Sequence, residues 1–429
     1  MVEKMTKLSW TGFAKKAPQE RVEHLRKNNL LNAENQLQLE QRIRLSLETA
    51  NQMAENVIGT HSLPLALVPD VLVDGKEYQV PFVTEEPSVV AAASFAAKII
   101  KRSGGFQTIV HNREMIGQVA LYNVPDSKIA EHNIFNQTAL LLSQANDAHP
   151  SIVKRGGGAR ELRVEVKEEF LIVFVTIDTQ EAMGANMVNT MMEAITPTLE
   201  ELSGGQALMG ILSNYATESL VTATCSIDLR FLSRDKKEAQ VIAQKMELAS
   251  YLAQVDIYRA STHNKGIFNG IDAVVMATGN DWRAVEAGCH AYACQNGQYR
   301  GLSNWTFDKN EQVLKGQLTL PMPIATKGGS IGLNPTVQIS HDLLNNPCAR
   351  DLASVIVSVG LAQNFAALKA LTTTGIQAGH MKLQAKSLAL LAGASQEELN
   401  KVVTQLLQAK HLNQETAQAI LQKIRDNEN

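Results

Sequence analysis

The order of strand-like and helix-like segments in the middle of the chain constrains the fold more than any other feature. In chain order, the residue patterns predict a strand at 106–110, a strand at 115–122, a helix at 127–144, a hairpin at 162–177, a helix at 187–202 and a strand at 207–213. Strands and helices in this order are typical of a compact α+β unit of about 110 residues. We expect this unit to be inserted within a larger domain.

The flanking segments predict that larger domain and a helical tail. Helices are predicted at 20–28, 35–57 and 89–100, a β-like stretch at 63–83, then strand patterns at 219–231 and 312–320 and helices at 236–254 and 349–371. A capping box at Ser395 and Glu398 opens the first of two tail helices. We predict an α+β fold with a large mixed α/β domain (1–108 and 217–374), an inserted ferredoxin-like domain (109–216) and a C-terminal helical flap (375–429).

Composition and charge exclude several classes of partner. The chain of 429 residues has 19% charged residues and a net charge of −3, so nothing indicates a general nucleic-acid binder. No apolar run reaches the roughly 18–20 residues that cross a bilayer, and the N-terminus lacks the apolar core of a signal peptide. We expect a cytoplasmic protein with neither nucleic acid nor membrane as a partner.

The cysteines predict neither disulfides nor a metal site. Four cysteines without a pattern fit a reducing compartment. Cys289, His290 and Cys294 lie close together in the sequence, but on a helix their side chains would converge poorly and no fourth ligand is evident. We therefore predict no metal.

Two neighbouring segments, 260–272 and 277–283, contain groups that could act on a carbonyl substrate. Lys265 is accompanied by Asn264, Asn269 and, further on, Asp281, with glycines between them. A lysine beside a carboxylate can polarise a carbonyl while keeping its own charge. The ordinary alternatives are an exposed loop lysine and an aspartate that caps a following helix.

Further acid–base candidates lie at two predicted helix starts. Glu85 and Glu86 precede Pro87 and Ser88, where a strand-like run meets a helix. Acidic residues there can simply offset the helix dipole, or one glutamate can act as a proton donor. His380 could be a surface histidine or a general acid near neutral pH.

Small residues mark two places where a dinucleotide phosphate could approach the backbone. Residues 181–189 follow a predicted strand and open a helix, and residues 156–158 are three glycines. Neither is the Gly-x-Gly-x-x-Gly fingerprint, so a Rossmann fold does not follow. An ordinary strand–helix corner and a flexible bend are the alternatives.

Taken together, these segments resemble hydroxymethylglutaryl-coenzyme A reductases of the soluble bacterial class II form. The motifs that carry the resemblance follow the family's order over nearly the whole chain, at residues 55–59, 85–93, 156–158, 182–186, 262–266, 277–281 and 379–381. The resemblance implies a four-electron reduction of 3-hydroxy-3-methylglutaryl-CoA to mevalonate and free CoA with two nicotinamide cofactors, in the mevalonate pathway of isoprenoid biosynthesis. It also implies active sites between subunits, hence a homodimer or a higher homo-oligomer.

The resemblance also implies roles for individual residues. The implied catalytic residues are Glu86, Lys265, Asp281 and His380; the substrate-binding residues are Ser88, Arg259, Thr262 and Asn269; the cofactor-binding residues include Met183, Gly184, Asn186 and Asn214. Lys265 would stabilise charge on the carbonyl oxygen, and Asp281 would keep Lys265 charged. His380 would protonate the departing thiolate, and Glu86 would supply a proton in the second reduction.

Two departures from the family's pattern concern the cofactor. Glu181 stands where the family often has an aspartate. His149 stands where NAD-preferring members place an aspartate for the ribose 2′-hydroxyl, and Lys154 and Arg155 follow. An acid lost and bases gained would remove repulsion toward a 2′-phosphate, so we predict NADPH, with NADH as the alternative.

Two other functions compete with a reductase. A thioester lyase or hydrolase could use the lysine and the carboxylates without a cofactor. A non-catalytic CoA-binding module would need no reactive lysine.

Overall fold

Two four-stranded sheets and a two-stranded hairpin organise the part of the chain that the structure describes, residues 8–329, 331–373, 375 and 377–426. The side chains of residues 377–380, 382 and 383 lie outside this description. In this computed structural model the strands are β1 (Leu65–Val73), β2 (Lys76–Val83), β3 (Gln107–Val110), β4 (Glu114–Tyr122), β5 (Gly158–Lys167), β6 (Phe170–Asp178), β7 (Gln206–Ser213), β8 (Leu220–Asp228), β9 (Ser303–Asp308) and β10 (Val313–Pro321). The helices are α1 (Pro18–Lys27), α2 (Ala33–Glu40), α3 (Leu47–Met53), α4 (Val89–Arg102), α5 (Ser127–Asn136), α6 (Thr138–Ala148), α7 (Pro150–Val153), α8 (Ala185–Ser203), α9 (Lys236–Val255), α10 (Ile257–Ala277), α11 (Trp282–Ala293), α12 (Pro335–Leu343), α13 (Ala349–Thr372), α14 (Gln377–Leu391), α15 (Gln396–Gln408) and α16 (Gln414–Asp426).

The N-terminal region contains short helices where one long helix over 35–57 is predicted. The chain leaves the helical conformation after α2 because Arg42 is left-handed, with φ 55°. Ser46 then caps α3 by accepting a hydrogen bond from the Thr49 amide at 3.0 Å. The predicted long helix is therefore wrong, and side chains of α1 and α2 pack near α12 instead.

Helix α13 is the centre of the largest core. It lies against α4, α9, α10 and an antiparallel sheet with the strand order β3-β8-β10-β9. A Cβ on Gly360 of α13 would lie 2.9 Å from Ile271 of α10, so the glycine permits this close approach. Against the expectation above, α13 is long and apolar enough to cross a membrane, with a mean hydropathy of 1.4, but 83% of that window is buried in this core.

The inserted unit forms a second core around its own antiparallel sheet. The strand order is β5-β6-β4-β7, and α5, α6 and α8 pack against one face. The connectivity β4–helices–β5–β6–α8–β7 is ferredoxin-like. The predicted helix over 127–144 is two helices, because Gln137 leaves the helical conformation with φ −109° and ψ 16°.

The segment with most of the candidate residues is helix α10, so Lys265 is not a loop residue. Asp256 caps the start of α10 by accepting a hydrogen bond from the Arg259 amide at 2.7 Å. Of the three glycines at 266, 270 and 279, only Gly279 has a positive φ, of 71°, and it follows the end of the helix. The other two are helical and do not provide the unusual backbone that glycine permits.

The tail helices α14, α15 and α16 pack on one another around a small core of their own. The predicted capping box is confirmed: Glu398 accepts from the Ser395 amide at 2.7 Å, and Ser395 Oγ accepts from the Glu398 amide at 3.3 Å. Arg425 of α16 binds the same glutamate at 2.7 Å. The predicted domain limits near residues 108, 216 and 374 stay predictions.

Candidate active site

Helix α10 presents a row of polar side chains on its outer side. Thr262, Lys265 and Asn269 are three and four residues apart, so they share one side of the helix. Thr262 and Lys265 are exposed, and Asn269 is half-buried. Arg259 lies one turn earlier, and burial lowers the pKa of its guanidinium. The structure thus places four of the predicted residues along one helix.

The opposite side of α10 fixes which way this polar row faces. The Asn264 amide group donates to the Arg300 carbonyl at 2.9 Å, and its oxygen accepts from the Leu302 amide at 2.8 Å. His263 Nε2 lies 2.6 Å from Ser303 Oγ, and burial lowers the pKa of His263 to about 3. Asn264 is therefore a structural residue and not part of the carbonyl-binding group expected from the sequence.

Asp281 caps α11 and is paired within its own helix. Its carboxylate accepts from the Arg283 and Ala284 amides at 3.0 and 3.2 Å, and the Arg283 side chain binds it at 3.1 Å. Within the described part of one chain, Lys265 forms no salt bridge with Asp281 or Glu86. The predicted contact between Lys265 and these acids is therefore absent from a single copy.

The length of α10 explains why Lys265 and Asp281 do not meet. Lys265 lies twelve positions before the last residue of α10, Ala277, and at a rise of 1.5 Å per residue this span is about 18 Å. Asp281 lies beyond that end, at the start of the next helix. Nothing within α10 therefore brings Lys265 to the start of α11.

The turn between β2 and α4 holds Glu86 and Ser88. The Glu86 side chain is exposed, and its amide donates to Thr84 Oγ1 at 3.2 Å. Ser88 has φ 75°, and its buried Oγ has no hydrogen-bond partner among the described residues. A strained residue with an unsatisfied hydroxyl is typical of a ligand-binding position.

A cavity of 1160 Å³ extends from this turn to the N-terminal helices. Glu86 and Ser88 line it together with the basic residues Arg21, Arg42 and Lys98. Glu23, Glu40 and Asp70 line the cavity as well, so its wall carries charges of both signs. The predicted substrate-binding residue Ser88 therefore adjoins a cavity that is large enough for an extended ligand.

Residues 182–186, at the end of the connection from β6 and the start of α8, carry three predicted cofactor-binding residues and are called the cofactor loop below. They are Met183, Gly184 and Asn186. Thr179 Oγ1 donates to the Ala182 carbonyl at 2.7 Å and turns the chain back after β6. Gly184 has φ 83°, and a Cβ there would lie 2.6 Å from Thr179. The loop leads into a helix of 19 residues, whose first amides favour phosphate.

The triple glycine at 156–158 lies beside the approach to the cofactor loop. Gly157 has no room for a side chain, since a Cβ would lie 2.5 Å from the Asp178 carbonyl at the end of β6. His149 directly precedes the short helix α7, and its Nδ1 lies 3.1 Å from Ser151 Oγ. The structure thus brings the two predicted cofactor segments together at one end of β6.

Asn214 lies where the inserted unit meets the large domain. It follows β7 and is exposed. Its carbonyl is so close to Gly288 of α11 that a Cβ on Gly288 would overlap it. Because Asp281 begins α11, a predicted cofactor residue and the helix of a predicted catalytic residue are in contact.

The sequence did not reveal a polar junction between these two units. Glu181 Oε2 accepts from Thr326 Oγ1 at 2.5 Å and from the Ala349 amide at 2.8 Å. Next to it, within the large domain, the Asn280 side chain accepts from the Ala325 amide at 2.6 Å and donates to its carbonyl at 3.0 Å. The one available signal was the glutamate at 181 where the family often has an aspartate.

A pair of carboxyl groups between α10 and α11 was also missed. Asp272 lies within hydrogen-bonding reach of Glu286, and burial, followed by the charge of Glu286, raises the pKa of Asp272 to about 8. Asp272 therefore keeps its proton near neutral pH. Spacing alone gave no signal for this pair, because its members lie on different helices.

Two further predictions concern His380 and the Cys289–Cys294 region. The backbone of His380 belongs to α14, but its side chain lies outside the described residues. Cys289 is buried against the Pro321 carbonyl, and His290 Nδ1 lies 2.8 Å from the Tyr299 hydroxyl. Among the described residues no group of three or more His, Cys, Asp or Glu side chains could hold a metal ion.

Several known proteins are similar in sequence to this chain over most of its length. The family model of hydroxymethylglutaryl-coenzyme A reductase matches residues 17–385. The 3-hydroxy-3-methylglutaryl-coenzyme A reductase of Archaeoglobus fulgidus is 40% identical over 385 residues, which are 89% of this chain and 87% of that protein. The probable reductase of Borreliella burgdorferi is 34% identical over 390 residues, which are 88% of each chain.

Solved structures from Streptococcus pneumoniae share the fold at 64% sequence identity. One 3-hydroxy-3-methylglutaryl-coenzyme A reductase aligns with a TM-score of 0.85 over 97% of this chain and 100% of that chain. A class II reductase, described as bound to NADPH in open conformations, aligns with a TM-score of 0.84 over 85% of this chain and 100% of that one. The α+β fold is thus that of a class of oxidoreductases. The chain belongs to the hydroxymethylglutaryl-coenzyme A reductase family, which confirms the predicted family and fold class.

Proposed function

We infer that this protein reduces 3-hydroxy-3-methylglutaryl-CoA to mevalonate and free CoA, with two nicotinamide cofactors used in succession, in the mevalonate pathway of isoprenoid biosynthesis. The family match over residues 17–385 carries this inference, because it spans the turn of Glu86, the cofactor loop and the whole of α10. The relatives from Archaeoglobus fulgidus and Streptococcus pneumoniae bear the name of this activity.

Lys265 has the largest catalytic role in this proposal. Reduction of the thioester carbonyl places negative charge on oxygen, which a fixed ammonium group stabilises. Lys265 suits this role because it is exposed beside other polar residues and makes no salt bridge within the described chain. Thr262, Asn269 and Arg259 of the same helix, together with Ser88, would hold the hydroxymethylglutaryl part.

Glu86, Asp281 and His380 complete the proposed catalytic set. Asp281 would keep Lys265 charged, and Glu86 would supply the proton in the second reduction. Collapse of the hemithioacetal expels a thiolate, which His380 would protonate near neutral pH. Since Lys265 and Glu86 would share one hydrogen-bond network, their proton affinities would be coupled.

We propose a homodimer, or a higher homo-oligomer, with active sites between subunits. The first support is the separation of about 18 Å along α10, which leaves Asp281 of the partner subunit as the aspartate that can reach Lys265. The second is an exposed apolar row on α9 that continues to the start of α10. It comprises Val241, Leu248, Tyr251, Leu252, Val255, Ile257 and Tyr258. A second copy covering this row would lie next to Arg259 and Thr262.

NADPH is the proposed cofactor, with NADH as the alternative; when bound, its nicotinamide would supply the hydride. The first amides of the long helix α8, which follows Gly184, suit the pyrophosphate. His149 introduces no acid near a 2′-phosphate, and Lys154 and Arg155 are exposed beside it. The Streptococcus pneumoniae structure described as bound to NADPH supports this choice.

The cavity next to Ser88 is the proposed place for the CoA part of the thioester. Its basic residues Arg21, Arg42 and Lys98 would bind the phosphates. Glu86 and Ser88 on the same cavity wall would then lie near the thioester end.

We also propose a cytoplasmic location. The four cysteines are unpaired, and two of them are buried. Unpaired cysteines fit a reducing compartment.

The test is an assay of mevalonate formation from 3-hydroxy-3-methylglutaryl-CoA, with NADPH and NADH in parallel. We expect mevalonate with both cofactors and a higher kcat/KM with NADPH. Release of the CoA thiol without cofactor oxidation would instead support the lyase or hydrolase. Binding of CoA without any turnover would support the binding module.

A further inference from the structure

One carboxylate that the proposed chemistry does not use holds the junction between the cofactor loop and the large domain. Glu181 directly precedes the cofactor loop, and its Oε2 accepts from Thr326 Oγ1 at 2.5 Å and from the Ala349 amide at 2.8 Å. Its backbone carbonyl accepts from the Thr326 and Lys327 amides at 3.0 and 3.3 Å. Glu181 thus makes four hydrogen bonds to the large domain, two of them through its side chain.

The segment that Glu181 binds, residues 325–327, is also hydrogen-bonded to Asn280, the residue before Asp281. Thr326 follows Ala325, whose amide and carbonyl are both bound by the Asn280 side chain at 2.6 and 3.0 Å. Asn280 directly precedes Asp281, the cap of α11. A short polar path therefore connects the start of the cofactor loop to the proposed catalytic aspartate.

Arg113 reinforces the same junction from the connection between β3 and β4. Its guanidinium donates to the Ala182 carbonyl of the cofactor loop at 3.4 Å and to the Ile324 carbonyl of the large domain. Burial lowers the pKa of Arg113, and the nearby charge of Glu181 opposes that shift. Two charged side chains, each with defined partners, thus join the loop to the segment before Lys327.

We propose that Glu181 is a positioning residue that sets the distance between the cofactor loop and Asp281 through residues 325–327. This inference rests on the proposed function, which assigns roles to the loop and to Asp281. The length of the side chain matters, because an aspartate is shorter by one methylene, about 1.5 Å. An aspartate at 181 would therefore not reach both Thr326 Oγ1 and the Ala349 amide from the same backbone position.

If Glu181 is a positioning residue, its variants should follow an unusual order of kcat/KM for NADPH. Glu181→Gln keeps an acceptor oxygen at the same reach, so its kcat/KM for NADPH should stay within about threefold of the parent. Glu181→Asp and Thr326→Val should both break the hydrogen bond between the side chains of residues 181 and 326. Each should lower kcat/KM for NADPH roughly tenfold and leave the KM for the thioester unchanged. The double variant should be no worse than either single one, because both changes remove the same contact.

Two measurements decide the proposal. NADPH fluorescence titration of the same variants, without turnover, should show roughly tenfold weaker binding for Glu181→Asp, while Glu193→Asp on the exposed side of α8 should match the parent. Thermal unfolding should confirm that the variants are folded. Parent-like binding by Glu181→Asp would overturn the proposal. An equal loss for Glu181→Gln would also overturn it and would point to a direct contact between the carboxylate and the cofactor. An inactive parent that still binds NADPH in the predicted order would contradict the proposed function alone.

Discussion

Asn264 and Lys265 are neighbours in the sequence, yet they have different roles. Successive residues of a helix point about 100° apart, so one of the two faces the core and the other faces outward. The two hydrogen bonds of Asn264 to residues 300–302 fix the rotation of α10 about its axis. The exposure of Lys265 is a consequence of that packing.

Replacement of Lys265 tests the residue that the proposed chemistry depends on most. Lys265→Ala should lower kcat for the thioester by roughly 100- to 1000-fold, because the charge that develops on oxygen loses its cation. Reduction of supplied mevaldehyde should fall as well, since it builds charge on the same oxygen. Lys309→Ala, in the exposed turn between β9 and β10, is the matched control and should behave like the parent. A Lys265→Ala enzyme within tenfold of the parent would contradict the role.

The carboxyl pair of Asp272 and Glu286 predicts a pH dependence of stability. Burial raises the pKa of Asp272 to about 8, whereas an unfolded aspartate titrates near about 4. The stabilisation from the bound proton is therefore complete below pH of about 4 and is lost progressively as the pH rises to about 8.

Asp272→Asn removes this titration, because asparagine stays neutral. Its Tm relative to the parent should be higher by a few degrees at pH 8 than it is at pH 5, as measured by circular dichroism. Glu286→Gln should also flatten the parent's pH dependence. The same Tm difference at both pH values would show that the pair does not carry a raised pKa.

At the scale of elements, replacing Gly266 of α10 and replacing Gly360 of α13 should change stability in opposite directions. A Cβ on Gly360 would lie 2.9 Å from Ile271, while a Cβ on Gly266 would meet nothing within 4 Å. Gly360→Val should therefore lower the free energy of unfolding by about 1–3 kcal/mol through overpacking. Gly266→Ala should raise it by up to about 1 kcal/mol, because alanine favours the helix. Denaturant unfolding measures both, and a stabilised Gly360→Val would contradict the close packing of α10 and α13.

The elements with simple periodic patterns could be predicted from the sequence. The sequence predicted the β-stretch that forms β1 and β2 and the order of strands and helices in residues 106–213. These elements show the hydrophobic periods of strands and helices in their own residues. The predictions of single long helices over 35–57 and 127–144 were wrong. In each case one residue, Arg42 or Gln137, leaves the helical conformation. Local propensity does not reveal such breaks, because tertiary packing on α12 and α8 favours separate short helices.

The residues of the candidate site could be predicted better than their arrangement. Ser88 and Gly184 have left-handed backbone conformations, which suit ligand contacts. Both were predicted as binding residues from the family motifs that contain them. The junction through Glu181 could not be predicted, because its partners Thr326 and Ala349 are more than 140 residues away along the chain. Hydrogen bonds of such long range leave no local pattern in a single sequence.

At the scale of the whole molecule, the proposed active site combines residues from two copies of the chain. Leu248→Asp places a charge in the exposed apolar row of α9, where the leucine is 65% exposed. We expect it to yield a monomer in sedimentation velocity and to lose activity, since Lys265 would lose Asp281 of the partner subunit. Leu208→Asp on β7, where the leucine is 53% exposed, is the control and should keep the parent's oligomeric state.

Mixing two inactive variants gives an independent test of the shared site. Lys265→Ala and Asp281→Ala subunits, mixed and reassociated, should recover up to about a quarter of the parent's activity, because each mixed dimer has one site with both residues intact. A fully active monomer, or a mixture without any recovery, would contradict a site built from two subunits.

The ratio of NADPH oxidised to CoA thiol released, measured in one reaction with 3-hydroxy-3-methylglutaryl-CoA, tests the central claim most directly. Complete reduction to mevalonate predicts two NADPH for each thiol. Thiol released with no NADPH consumed would mean that the lysine and the carboxylates serve a different reaction.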